Sequence, residues 1–432
     1  MNTKRFFVNI LGFTFSILLC FFITTNIQAK SSDDKKLDEK IKSLDKLTKT
    51  LAIVEQYYVD DENITDLIDK SIAGLLSNLD AHSSFLNEKD FQTMKIQTDG
   101  EFGGLGITVG MKNNSLTIIA PMEGTPADKA GLKPGDIILK INNNSTLNLS
   151  LNDAVDKMRG KPNTKITLTI YRKGSDKPFE VTLKREIIKI DSVYSKFIEK
   201  DDILYLRITN FDKNVKENAI SAIKKYPKIK GIILDLRNNP GGLLNQAIEL
   251  TNLFVDNGVI VSQKGRTKAE NKTYKADPSK KITNVPVVVL VNSGSASASE
   301  IVSGALQDLK RAVIVGENTF GKGSVQSIMP INDKEAIKLT IARYYLPSGR
   351  TIQAVGVKPD VEVFPGKVNT SNNEFIVKES DLKKHLEVEN QNNQVEPKIQ
   401  KSNDKNIITQ EQINNDIQLK TAIDTIKILN IK

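Results

Sequence analysis

A single cysteine and two histidines are all that this chain of 432 residues offers of the side chains that most often cross-link or bind zinc. Cys20 sits in the apolar N-terminal segment, so the remainder has neither a disulfide framework nor a thiol nucleophile. His82 and His385, without cysteine partners, do not make a zinc site. Also missing is any arginine-rich block or interleaving of basic with aromatic residues. The 61 basic and 52 acidic side chains, net +9, are spread along the chain, which does not point to nucleic acid as a partner. With 39% hydrophobic and 26% charged residues the composition is that of a globular protein, and the length suffices for two or three domains.

What is present is concentrated between residues 287 and 326. The apolar run Val287 to Val291 gives way to Asn292-Ser293-Gly294-Ser295-Ala296-Ser297-Ala298-Ser299-Glu300, after which Ile301, Val302, Ala305, Leu306 and Leu309 recur at helical spacing. The pattern predicts a buried strand, a tight small-residue turn and an amphipathic helix. A serine in such a turn stands at a helix N-terminus, where unpaired N–H groups and the positive end of the dipole stabilise developing negative charge. That suits a nucleophile. Ser297 with Glu300 three positions on also reads as a capping box, the commoner use of a serine before a helix. A second strand beginning at Ala312 leads into Asn318-Thr319-Phe320-Gly321-Lys322-Gly323-Ser324-Val325-Gln326. A lysine between glycines is open to close approach by other backbone. If residues 322–326 are extended, Lys322, Ser324 and Gln326 share one face.

The run VNSGSASASEIVSGALQD followed by GENTFGKGSVQ closely resembles the carboxy-terminal processing peptidases, or tail-specific proteases, which are serine peptidases with a Ser-Lys dyad. The resemblance implies that Ser297 is the nucleophile, that Lys322 is the general base and that Gln326 orients or assists the lysine. An ordinary lysine titrates near about 10.4, so a base working near neutral pH must have its cation destabilised by roughly 4 kcal/mol, which burial in an apolar pocket can supply. No metal or organic cofactor is implied. The stretch Asp235-Leu236-Arg237-Asn238-Asn239-Pro240-Gly241-Gly242 matches the family's Asp-Leu-Arg-x-Asn-Pro-Gly-Gly loop. Glycines just ahead of a helix leave N–H groups bare, so Gly241 or Gly242, with Ala298, are the oxyanion-hole candidates. Arg237 and Asn238 are expected to shape that loop rather than touch substrate.

Taken in order, the chain divides into five segments. Residues 1–29 read as a signal peptide, with Lys4 and Arg5 ahead of an apolar stretch and a cleavage point after Ala29; the stretch is also long enough for an uncleaved anchor. The expected location is exported and periplasmic, with anchoring to the inner membrane as the alternative. Residues 30–96 carry apolar stripes, among them Leu47, Leu51, Ile53, Tyr57 and Tyr58, then Ile68, Ile72, Leu75 and Leu76, and read as a small helical domain. It closes on Leu79-Asp80-Ala81-His82-Ser83, which resembles the family's Leu-Asp-Pro-His-Ser with Ala81 in place of proline. His82 reads as a structural hydrogen-bonding residue, with a Ser-His pair as its rival.

Residues 97–187 resemble a PDZ domain in their order of strands and in the turn Lys133-Pro134-Gly135-Asp136. That likeness implies that the loop Gly104-Leu105-Gly106-Ile107 binds a terminal carboxylate through backbone N–H groups while the peptide adds as a strand to a sheet edge. Residues 188–365 alternate strand and helix, with strands beginning near 204, 229, 259, 287 and 312, and form an α/β core that the resemblance makes crotonase-like, built of ββα units. Residues 366–432 are a polar extension. Most of 366–412 reads as linker, and Ile417, Ala422, Ile423, Ile426 and Leu429 mark a closing helix that packs on the body or on another subunit, which leaves a homo-oligomer open.

The combined reading is an exported serine endopeptidase whose substrates are proteins or peptides with free C-termini. Two others compete with it. A PDZ adaptor on an inactive scaffold requires the serine, the lysine and the glycine loop all to be vestigial. A crotonase-like acyl-CoA enzyme is disfavoured by the PDZ-like unit and the export segment.

Overall fold

A run without polar alternation, Val287–Val291, fits only a strand covered on both faces. It occupies such a place in the computed structural model, which describes residues 34–368 and 406–431. It is fourth in a six-stranded sheet ordered Val193–Ile198, Ile203–Ile208, Gly231–Asp235, Val287–Val291, Ala312–Gly316, Val361–Glu362. The first pair is antiparallel and the later pairs are parallel. Val287, Val289 and Val291 join a core with the helices Val215–Lys224, Leu244–Asn252 and Ala298–Asp308, while Val288 and Leu290 join a second core on the other face. Two-residue alternation thus divides one strand between two cores. Pro286 stands just before the strand, where its lack of an N–H costs no ladder bond, and its carbonyl accepts from Ile232 N–H at 2.9 Å.

The second core is completed from the far end of the chain. Leu419, Ala422, Ile423 and Ile426 of the helix Ile417–Leu429 bury against Ile198, Ile233, Val288, Leu290 and Val315. The closing helix therefore packs on the body of its own chain. Asp416 caps it by accepting from Leu419 N–H at 3.0 Å. Most of the stretch read as linker, with His385, lies outside the described residues, as do the N-terminal segment read as signal or anchor and Cys20.

Val259–Gly265 departs from the expected alternation. It pairs antiparallel with Lys272–Lys275 and with Ala336–Tyr345, and Ser324–Pro330 pairs with the latter, in a sheet separate from the six-stranded one. A strand's composition reports that it is half-buried and not which neighbour it bonds to.

The PDZ-like unit is a five-stranded antiparallel path, Ile107–Lys112, Ser115–Pro121, Ile137–Ile141, Lys165–Tyr171, Phe179–Lys184, with the helix Leu151–Met158. Its own core includes Leu116, Ile118, Ile138, Ile166, Leu168 and Ile170. The Lys133–Asp136 turn is fastened by Asp136, which accepts from Lys133 N–H at 2.8 Å and from Arg172 Nε and Nη2 at 2.7 Å each. A two-stranded ribbon, Glu101–Gly104 against Glu186–Lys189, forms its neck. At the base of the neck Lys213 N–H donates to Thr98 O at 3.0 Å and Ile190 N–H to Gly100 O at 2.8 Å.

The chain forms two compact units, one ending at Phe85 and one beginning at Leu86. In the first, residues 34–57 and Ile64–Ser77 are helical, and Asn63 caps the second helix by accepting from Thr65 N–H at 2.8 Å. The apolar stripes expected there are present, but Leu47, Ile53, Tyr57 and Tyr58 stand exposed and Leu76 is buried. Periodicity identifies an apolar face without saying what covers it. Asp80 ties the closing turn, accepting from the N–H groups of His82 and Ser83 at 2.8 and 2.9 Å.

Ile426 is fully buried, and its side chain lies over Gly231, where an added Cβ would come within 2.4 Å of Ile426 Cγ2. Truncating Ile426→Ala should lower the unfolding free energy by about 3 kcal/mol through lost burial and the cavity left behind. Urea denaturation checks this as a lower midpoint at unchanged slope.

Candidate active site

Three loops that follow the carboxyl ends of neighbouring parallel strands meet in one place, where ligand sites of open α/β sheets lie. They are residues 236–243 after Gly231–Asp235, residues 292–297 after Val287–Val291 and residues 317–323 after Ala312–Gly316. Ser297 stands immediately before the helix Ala298–Asp308 with φ 54° and ψ −111°, backbone that a side-chain-bearing residue adopts only under constraint. The flanking serines fasten loops together. Ser295 Oγ donates to Leu236 O at 2.8 Å and Ser299 Oγ to Asn239 O at 2.9 Å, which joins the 292–299 turn to the 236–239 loop.

Glu300 supplies the constraint on Ser297. Its carboxylate is wholly buried, and Oε2 accepts from Ser297 N–H and from Lys322 N–H, each at 2.8 Å. The two main-chain nitrogens are therefore no more than twice that distance apart. Oε1 accepts from Gly321 N–H at 2.7 Å and Thr319 Oγ1 at 2.5 Å. Charge-assisted bonds of this kind let a carboxylate stay buried without a cation against it. The capping-box spacing marked Glu300 as a partner of Ser297. Nothing in the sequence marked it as a partner of residues 319–322.

Lys322 is half-buried. Burial lowers its pKa from the ordinary lysine value, and the Lys338 cation pushes the same way while Glu300 opposes both. Gln326 lies on Ser324–Pro330, and its amide donates to Ser324 Oγ at 2.9 Å and to Thr340 Oγ1 at 3.3 Å. Ser324 and Gln326 thus share a face, and the Gln326 amide nitrogen is bonded to hydroxyl neighbours.

Gly241 and Gly242 differ. The Gly241 N–H is donated to Asn239 Oδ1 at 2.9 Å, whereas among the described residues the N–H groups of Gly242 and Ala298 donate to no protein acceptor. Gly241 has φ 105°, and a Cβ there would lie 2.9 Å from Ser297 Cβ and 3.0 Å from Ala298 N, so only glycine brings this loop against the serine. Phe211 braces the pair: its N–H donates to Gly241 O at 2.9 Å and its carbonyl accepts from Leu243 N–H at 2.8 Å.

In the PDZ-like unit the carbonyls of Leu105 and Gly106 are engaged by Ala127 N–H at 3.0 Å and Met122 N–H at 2.8 Å. The N–H groups of Leu105 and Gly106 donate to no protein acceptor among the described residues. Gly104, Leu105, Gly106 and Ile107 line a recess of about 100 Å³ with Val155, Met158 and Arg159. Arg159 Nε is buried there without a hydrogen-bond partner among the described residues, and its guanidinium lies 5.0 Å from the Phe102 ring centre. Sequence reasoning passed over Arg159. Its signal was a basic residue ending a helix opposite the glycine loop. Among the described residues no group of three His, Cys, Asp or Glu side chains could hold a metal.

A PDZ-like unit ahead of an α/β core with a strained serine at a helix N-terminus is the layout of a PDZ-bearing serine peptidase. By sequence, residues 202–363 match peptidase family S41 and residues 117–172 match the PDZ domain. The chain is 46% identical over 316 residues, 72% of its own length and 72% of the relative's, to a carboxy-terminal-processing protease of Bartonella bacilliformis. It is 34% identical over 367 residues, 83% of its length and 77% of the relative's, to the carboxy-terminal processing protease CtpA of Bacillus subtilis. A solved photosystem II D1 C-terminal processing protease is 28% identical, with 75% of this chain and 94% of that one covered at a TM-score of 0.43. The chain belongs to peptidase family S41, among the carboxy-terminal processing serine proteases that carry a PDZ domain.

The lowered pKa of Lys322 has a consequence for stability. Below the folded-state pKa the fold carries a half-buried cation, and as pH rises from that value to the ordinary lysine range the unfolded chain binds more protons, so stability increases. Lys322→Met should therefore raise the melting temperature at neutral pH, and the gain should shrink as pH approaches about 10.4. Thermal melts of both proteins across that interval check the sign.

Proposed function

We propose that the protein is an exported endopeptidase that recognises the C-terminal end of protein substrates through its PDZ domain and cuts with a Ser297-Lys322 dyad. The observation that carries the reading is the shared Glu300 Oε2, which brings the backbones of Ser297 and Lys322 together. Ser297 Oγ attacks the scissile carbonyl carbon. Neutral Lys322 Nζ takes the hydroxyl proton and returns it to the leaving amine, and water then hydrolyses the acyl-enzyme. The N–H groups of Gly242 and Ala298 receive the oxyanion, with Gly241 supplying the close approach. Gln326, bonded to Ser324 and Thr340, is assigned the assisting role that the family resemblance implies.

Substrate capture falls to the recess under Gly104–Ile107. A free carboxylate finds the open N–H groups of Leu105 and Gly106, with the Arg159 guanidinium lining the same recess, while the peptide extends the sheet at Ile107–Lys112, an edge strand. The core as crotonase-like ββα units, the N-terminal helical domain within residues 30–96 and the domain limits 97–187 and 188–365 belong to the same reading. So does a periplasmic location, with the N-terminal segment as signal or inner-membrane anchor.

A fluorophosphonate probe should label the unmodified protein and not Ser297→Ala, and Lys322→Ala and Lys322→Arg should lose proteolysis while still folding. Arginine fails because it keeps its proton at working pH. Labelling of Ser297→Ala at the unmodified rate would remove the serine from the mechanism. In a separate measurement below saturation, a substrate with a free apolar C-terminus should be cut about tenfold faster than its C-terminal amide, the worth of one charge-assisted hydrogen bond or so. Arg159→Met should narrow that ratio. Equal rates for the free and amidated tails would end the tail-reading part and leave the dyad standing.

A further inference from the structure

We propose that Asp416, at the head of the C-terminal helix, is a positioning residue for the 235–242 loop and acts on it through Arg237. Arg237 follows the strand Gly231–Asp235 and opens the loop that ends in Gly241 and Gly242. Its fork is divided between two carboxylates. Nε lies 3.1 Å from both Asp235 oxygens and Nη2 lies 2.7 Å from Asp235 Oδ2. On the other side Nη1 donates to Asp416 Oδ1 at 3.0 Å and to Gln418 Oε1 at 2.9 Å, and Nη2 lies 2.8 Å from Asp416 Oδ2. Gln418 is anchored in turn by donating to Val363 O at 2.7 Å.

Asp235 is fully buried, and Arg237 holds its charge at close range, with Arg207 Nη1 farther off at 3.4 Å from Oδ2. Burial alone would raise the Asp235 carboxyl, but its bonds with Arg237, and with Tyr205 OH at 2.6 Å, hold it below the usual carboxylate range. Once Asp235 occupies one side of the guanidinium, Asp416 and Gln418 are what fix the other. Elsewhere the loop is tied by neutral bonds, Asn238 N–H to Asn292 Oδ1 at 2.8 Å and Asn239 Nδ2 to Ile208 O at 2.8 Å. Arg237 N–H is also bonded to Asp235 Oδ1 at 2.9 Å, so a guanidinium free to turn disturbs the backbone four residues before the glycine that bears on Ser297. A segment 179 residues further along the chain thereby becomes part of the active-site scaffold.

The proposal rests on the reading that Ser297 is the nucleophile and that the 241–242 loop borders the oxyanion. Its test is the rate of fluorophosphonate labelling of the full-length protein, with kcat and KM for a short peptide, well below the unfolding temperature. Asp416→Ser keeps a good helix cap and removes the carboxylate, Asp416→Asn keeps cap and shape but not charge, and Lys427→Ala breaks the 2.8 Å pair with Asp201 near the other end of the same helix. Labelling and kcat should fall about tenfold in Asp416→Ser at unchanged KM, less than the cost of a full 1 Å misplacement. Asp416→Asn should lie between, and Lys427→Ala should match the unmodified protein. Labelling of both Asp416 variants at the unmodified rate, or an equal loss in Lys427→Ala, overturns the proposal. If the unmodified protein is not labelled, or Ser297→Ala is labelled as well, the Ser297 reading fails first and the positioning role falls with it.

Discussion

The Glu300 carboxylate is the constraint on which the rest of the site depends. Three N–H groups and one hydroxyl converge on it in the interior, and they come from the elbow before Ala298 and from the loop after Gly316. A buried acceptor with this many donors gains by fixing them and is costly to leave partly bonded. It therefore sets both the left-handed backbone of Ser297 and the approach of Lys322. It also puts negative charge near Lys322, which opposes the lowering of that lysine's pKa by burial and Lys338 without cancelling it.

Packing on both faces of the six-stranded sheet makes that geometry possible. Parallel strands deliver three consecutive loops to one edge, and helices on one face with Ile417–Leu429 on the other leave the strands little freedom to slide. The C-terminal helix closes a core and its head reaches the loop carrying Gly241 and Gly242, so core closure and site geometry are coupled at one ion-paired arginine.

The PDZ-like unit is built on different terms. It has its own core and leaves through a two-stranded ribbon whose base is bonded to residues 210–214, directly after the strand Ile203–Ile208 and beside Phe211, which braces Gly241 and Leu243. Recess and serine lie in separately packed bodies joined by a narrow neck.

The sequence by itself determined the elements that depend on local chemistry. Val287–Val291 could only be a doubly covered strand, Lys133-Pro134-Gly135-Asp136 could only be a turn, and the small residues before Ala298 required an elbow. The Ser297, Lys322 and Gly241-Gly242 motifs were legible because they are contiguous strings of unusual residues. Tertiary structure alone decided everything that needs two distant segments to meet. It gave Val259–Gly265 to a second sheet and turned Glu300 from a cap into a bridge. It gave Gly241 N–H to Asn239 while, among the described residues, leaving that of Gly242 without an acceptor, bonded the Gln326 amide nitrogen to hydroxyls, and set the Arg159 guanidinium against Phe102 at the recess and Asp416 against Arg237. The physical reason is common to all of these. Hydrophobic period and turn chemistry are written within a few residues of one another, whereas the partner of a buried polar group is selected by whichever segment folding brings to it.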